Sequence, residues 1–121
     1  MAYYQMGEIE TRFADIIWRE EPIRSPELVT ICERELNWKK STTYTVLRRL
    51  CQKGIFKNEK CVVTSLMTKD EFLAGASDTI IETKFGGSLP AFVAAFTSKN
   101  TLKKKEIEEL RAMLDKLEKK K

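Results

Sequence analysis

WKKSTTYTVLRRLCQKG, residues 38–54, brings together a tryptophan, a Lys-Lys pair, a run of hydroxyl side chains and an Arg-Arg pair. Thr43, Val46, Leu47 and Leu50 fall at i, i+3, i+4 and i+7, the apolar face of an amphipathic helix, and Gly54 is placed to end it. At about 3.6 residues per turn the same helix sends Thr42, Thr45 and Arg49 to its other side, with Ser41 and Arg48 close by. Such a face suits the major groove of DNA. Hydroxyls bond phosphates or base edges there, a Thr methyl meets a thymine methyl, and Arg pairs bidentately with guanine. The pattern also fits an amphipathic helix whose polar residues simply face water, or one that docks an acidic protein. Trp38 reads as an aromatic lid on the junction with the preceding helix, or as an indole that contacts nucleic acid. Lys39, Lys40, Lys57 and Lys60 read as phosphate-neutralising positions, which orient a protein on DNA without specifying sequence.

Upstream, GEIETRFADIIWREEP places Ile9, Phe13, Ile16 and Ile17 on one helical face, and Pro22 stops that helix. SPELVTICERELN predicts a second helix, with Ser25 as its N-cap, Pro26 at the first helical position, and Leu28, Ile31, Cys32 and Leu36 inward. Downstream of Gly54, two short strands are expected at Ile55 to Lys57 and Cys61 to Ser65, around a polar turn at Asn58 and Glu59. Three short helices followed by a hairpin are the element order of a winged helix-turn-helix. The expected class is therefore mainly α with a small β wing.

From Thr68, expected as an N-cap, the pattern turns helical again, with Phe72, Leu73, Ala76, Ile80 and Phe85 as apolar anchors. Gly86-Gly87 breaks it. Leu89, Phe92, Val93 and Phe96 then recur at i, i+3, i+4 and i+7, and Ile107, Leu110, Leu114 and Leu117 form a short seam on a last helix. That seam is too short for an independent coiled coil and suits docking. The boundary falls near residues 66 to 69, giving a winged-helix domain at 1–67 and a helical domain at 68–121.

The chain has 121 residues, 42% of them hydrophobic and 33% charged, which fits one globular domain or a small domain with an appended helical segment and excludes a large enzyme. Its net charge of +4 is unevenly spread, with Lys and Arg concentrated at positions 34 to 60 and after 98, a weak pointer to nucleic acid. No histidine is present, and Cys32, Cys51 and Cys61 form no C-x-x-C pair, so neither a structural metal nor a cofactor is expected. The missing histidine also removes the commonest general base, and no glycine-rich phosphate loop or G-x-S-x-G elbow occurs, which argues against an enzyme. The odd cysteine count and the want of a long apolar run lead to the expectation of a soluble, cytoplasmic protein that does not insert in membranes.

The sequence resembles the penicillinase repressor family, the BlaI/MecI/CopY group of winged-helix repressors. The resemblance runs through IIWREEPI, the segment from Ser25 to Phe56 and TLKKKEIEELRAML, and is most specific in W-x-x-x-T-x-x-T-x-L-x-R-L-x-x-K-G, here Trp38, Thr42, Thr45, Leu47, Arg49, Leu50, Lys53 and Gly54. It implies a homodimer bound to a pseudo-palindromic double-stranded operator near genes for β-lactam resistance. Lys39, Lys40, Ser41, Thr42, Thr45, Arg48, Arg49 and Lys60 would meet DNA, with Ser41, Thr42, Thr45 and Arg49 facing the groove. Leu89, Phe92, Val93, Phe96, Ile107, Leu110 and Leu114 would join the two copies.

In the β-lactam branch, a membrane sensor's protease signal leads to cleavage of the repressor between an Asn and a Phe; the matching bond here is Ala95-Phe96. Four departures set this chain apart. Ala95 replaces the Asn, Lys39-Lys40 replaces a Ser-Pro helix start and leaves Asn37 or Ser41 to cap it, the wing is short, and the C-x-C tail of the copper-responsive branch is absent. Two further readings remain alongside DNA repression: a protein-interaction module, and a repressor released by oxidation of Cys61.

Overall fold

The computed structural model describes residues 4–120. The chain divides after Ile80 into two compact units. The first contains α1 (Glu8–Glu20), β1 (Ile23–Arg24), α2 (Ser25–Leu36), α3 (Lys40–Gln52), β2 (Phe56–Glu59) and β3 (Val62–Ser65), and α4 (Lys69–Phe85) starts within it; α5 (Leu89–Thr97) and α6 (Lys104–Lys119) follow in the second. This is the winged-helix order with a helical C-terminal part.

α1 to α3 form because their apolar residues repeat at helical spacing, and burial of those faces supplies the stability that short helices lack alone. Phe13, Ile17, Leu28, Cys32, Leu47, Leu50, Ile55, Phe56 and Val63 are sealed from solvent in one core. Ile9, expected on the inner face of α1, is instead about half exposed (49%), because the core is filled from Phe13 onward. Gly54, at φ +81°, closes α3: the left-handed turn lets the Ile55 N–H donate to the Leu50 carbonyl at 3.1 Å.

Three further local expectations are corrected. Ser25 does not cap α2. Ile23 and Arg24 pair with Val63 and Val62 as a two-residue strand, so the extended chain persists through Arg24, and Ser25 lies buried inside the helix, accepting from the Tyr44 hydroxyl at 3.3 Å. The cap of α3 is neither Asn37 nor Ser41 but the extended residue Lys39, without a side-chain cap bond; Asn37 takes the left-handed conformation that ends α2.

The wing turns at Lys60-Cys61, both at positive φ (52° and 65°), rather than at Asn58-Glu59. β1 explains this. The Ser25 N–H donates to the Cys61 carbonyl at 2.9 Å, and Glu21 accepts from the Ser65 N–H and Oγ, both at 2.8 Å, which pins β3 at two points and pairs Phe56 with Ser65. Such a left-handed pair matches the twist of a two-residue hairpin, here without glycine.

In α4 the expected cap is present: the Glu71 N–H donates to Thr68 Oγ1 at 3.1 Å, and the Thr68 N–H returns a bond to Glu71 at 2.8 Å. Phe72 is buried, whereas Leu73 and Ile80, expected as anchors, are each 48% exposed. Gly75 leaves room for the Tyr4 ring, which a Cβ there would strike.

Candidate nucleic-acid interface

α3 presents its functional side chains because its opposite face is fixed. With Thr43, Val46, Leu47 and Leu50 buried, the helical period turns Ser41, Thr45, Arg48 and Gln52 outward in one row. All four are exposed, and Arg48 makes no ion pair among the described residues. Gln52 was not anticipated from sequence, although its spacing of four from Arg48 carries the signal. Thr42 and Arg49 lie to one flank of this row, and Lys39 and Lys40 stand exposed where the helix begins.

Arg49 is not free: its Nη1 lies 3.2 Å from Glu10 of α1. Lys53 stands 4.0 Å from the same carboxylate and donates to the Gln5 carbonyl at 2.8 Å. Burial pushes the Glu10 carboxyl up, but the Gly7 N–H and the Arg49 and Lys53 cations outweigh it and hold the group below its ordinary range. Trp38 packs on α1 as well, its ring stacked on Phe13 at 5.3 Å and 28°. The indole is therefore a packing element that lies between α2 and α3 and covers Phe13 of α1.

On the wing, Lys60 is exposed at the turn. Lys57 is paired with Glu59 at 2.8 Å, and that lysine holds the Glu59 carboxyl below its usual range by hydrogen bond and charge. Burial raises the Cys32 thiol to about 11 and also raises Cys51, which makes both poor thiolates, while Cys61 is exposed beside Lys60.

Taken by itself, the second unit buries none of its described residues. Leu89, Phe92, Val93 and Phe96 of α5 and Leu110 and Leu114 of α6 are 36–60% exposed, as are Met113 and Leu117; Ile107 is half-buried. Phe92 meets Phe85 edge-on at 5.4 Å and Phe96 at 6.5 Å, a strip of aromatic rings in which Phe85 is half-buried and Phe92 and Phe96 are exposed. The Ala95-Phe96 bond lies in the last turn of α5, where Ser98 Oγ donates to the Ala95 carbonyl at 2.7 Å and the Asn100 N–H to the Phe96 carbonyl at 3.1 Å. No helix among the described residues is long and apolar enough to cross a membrane.

The sequence model of the penicillinase repressor family matches residues 6–116. The methicillin resistance regulatory protein MecI of Staphylococcus aureus strain Mu50 is 26% identical over 117 residues, covering 93% of this chain and 95% of that protein. A penicillinase repressor of Bacillus licheniformis is 24% identical over 92% of this chain and 90% of its own length. A Staphylococcus aureus penicillinase repressor is 28% identical over 88% of this chain and 87% of its own length.

Proposed function

The chain belongs to the penicillinase repressor family, whose members are transcriptional repressors and not enzymes, and on that premise we propose that it is a homodimeric, sequence-specific repressor of resistance or related stress genes. The observation that carries the reading is the outward row Ser41, Thr45, Arg48 and Gln52, backed by a fully packed face and flanked by Lys39, Lys40 and, on the wing, Lys60. Short polar arms near the helix start and long ones further along suit a helix entering the major groove, with the lysines on phosphates. The uncovered apolar strips of α5 and α6 supply the contact between two copies, which lets two helices address the halves of a pseudo-palindrome.

Selection from a random duplex library tests this. A repressor enriches one palindromic site over random DNA by about 10³-fold or more, with affinity falling steeply as salt rises. Equal binding to every duplex would instead favour a module that docks acidic partners through its basic helix.

Relief of repression is assigned to cleavage at Ala95-Phe96. Both carbonyls flanking that bond are engaged, so the last turn of α5 must open before a protease can take the chain in extended form. Induction in cells carrying the cognate sensor should yield a fragment beginning at Phe96. An intact chain under derepressing conditions would remove the cleavage route and turn attention to Cys61.

Glu59 is an acid on a wing that should meet phosphates. Glu59→Gln frees Lys57 from its pair and is expected to tighten binding a few-fold to every duplex alike, with a steeper salt dependence and the same base preference. Fluorescence anisotropy titrations across a salt series read all three quantities.

A further inference from the structure

We propose that Arg49 is a positioning residue, clamped with Lys53 onto Glu10 to set the recognition helix against α1, and that the bases are read by Arg48 and Gln52 with Ser41 and Thr45. The inference rests on the DNA-binding reading and departs from the expectation that Arg49 pairs with a base.

Arg48 and Arg49 are adjacent in sequence and chemically identical, so the fold alone separates them. At about 100° per residue, Arg48 lies within about 30° of the outward direction set by the four buried residues, and Arg49 lies about 70° away, toward α1. Arg49 meets a carboxylate whose side chain is only 18% exposed and which also accepts from the Gly7 N–H at 3.2 Å. Lys53, 24% exposed, closes the same group from the next turn and ties it to the Gln5 carbonyl. For Arg49 to reach a base edge it would have to leave Glu10, giving up the closer of the two cations on a partly buried carboxylate and leaving Lys53 at 4.0 Å as its counter-charge near a phosphate backbone of the same sign as the carboxylate, which is unfavourable on both counts. Arg48 and Gln52 have no such partner among the described residues, and each carries the groups that bidentate readout of guanine or adenine requires.

The experiment measures binding of the full-length protein to a duplex library, and thermal unfolding, for wild type, Arg48→Ala, Gln52→Ala, Arg49→Ala, Glu10→Gln, the double variant Glu10→Gln/Arg49→Ala and the charge swap Glu10→Arg/Arg49→Glu. Arg48→Ala and Gln52→Ala should each flatten preference at one position per half-site, by about ten- to a hundredfold, and leave the others intact. Arg49→Ala and Glu10→Gln should weaken all duplexes by a common factor without altering the preference profile, and the double variant should be no weaker than the worse single one.

Because Lys53 and the Gly7 N–H also lie on Glu10, the charge swap should restore only part of the affinity lost in Arg49→Ala, with the original profile, whereas a base-reading arginine replaced by glutamate would restore none. Loss of one base preference in Arg49→Ala alone, or additive losses in the double variant, would overturn the proposal while leaving the repressor reading standing. Should the swap fail to fold, the Glu10→Gln and Arg49→Ala additivity still decides the matter. A wild-type protein with no preferred duplex would remove the repressor reading and this proposal with it.

Discussion

Phe92→Asp is expected, on the proposed homodimer, to yield a monomer and to weaken binding to the proposed palindromic site by about 10²- to 10⁴-fold, leaving the fold of the first unit unchanged. Phe92 stands between Phe85 and Phe96 in the aromatic strip of α5, in a unit where no described side chain is buried. A protein does not ordinarily leave such a continuous apolar strip to water. Each large side chain covered by a second copy contributes about 1.5–3 kcal/mol gross, while association costs about 4–15 kcal/mol, so several must be covered together. A carboxylate in the middle of the strip would either stay solvated and hold the copies apart or be buried unpaired at large cost.

The size of the DNA effect follows from linkage. When two reading helices are joined, the second half-site is met at millimolar effective concentration, and separating them forfeits that factor. Sedimentation equilibrium reads the assembly state, and titration against full and half sites reads the loss. A dimeric Phe92→Asp with wild-type affinity would show that α5 is not the joining face. Loss of affinity for half-sites as well would point to damage beyond dimer contacts.

Much of this was legible in residue order, for a physical reason that also marks where legibility ends. The apolar periods of α1, α2 and α3 and the seams of α5 and α6 are local patterns, and each predicted helix is present. β1 was invisible because two residues cannot display an alternation; Ile23 and Arg24 become a strand only through β3, about 40 positions on. Ser25 and the wing turn were misplaced for the same cause, since both are set by pairing with that strand.

The difference between Arg48 and Arg49 lay equally out of reach. Helical period puts both on the polar side, Arg48 nearer its centre and Arg49 nearer its edge, and Glu10, 39 residues earlier, is the partner that holds Arg49 there. Local chemistry thus placed the helix and its polar side, and long-range partners settled what each side chain on that side is free to do.

Phe13→Ala carries the largest expected cost to stability, about 3–5 kcal/mol, from a total that for a small domain is about 5–15 kcal/mol. Phe13 is fully buried on α1 and its ring supports Trp38, the residue that leads the chain into α3. Removing the ring therefore loses its transfer free energy and its aromatic contact, and leaves a void beneath the entrance to α3. Neighbours cannot close that void easily, because Ile17, Leu28 and Leu50 are themselves fully buried in the same core. At about 4–8 °C per kcal/mol for a unit of this size, the melting temperature should fall by well over 10 °C. Phe13→Leu keeps much of the volume and should retain most of the stability. Urea unfolding followed by tryptophan fluorescence measures both changes, and in a Trp18→Phe background Trp38 should report a wetter environment in the alanine variant before global unfolding. A cost below 1 kcal/mol would mean that Trp38 does not depend on Phe13. The indole would then be free to turn toward DNA, and the assignment of Trp38 to packing would fail with it.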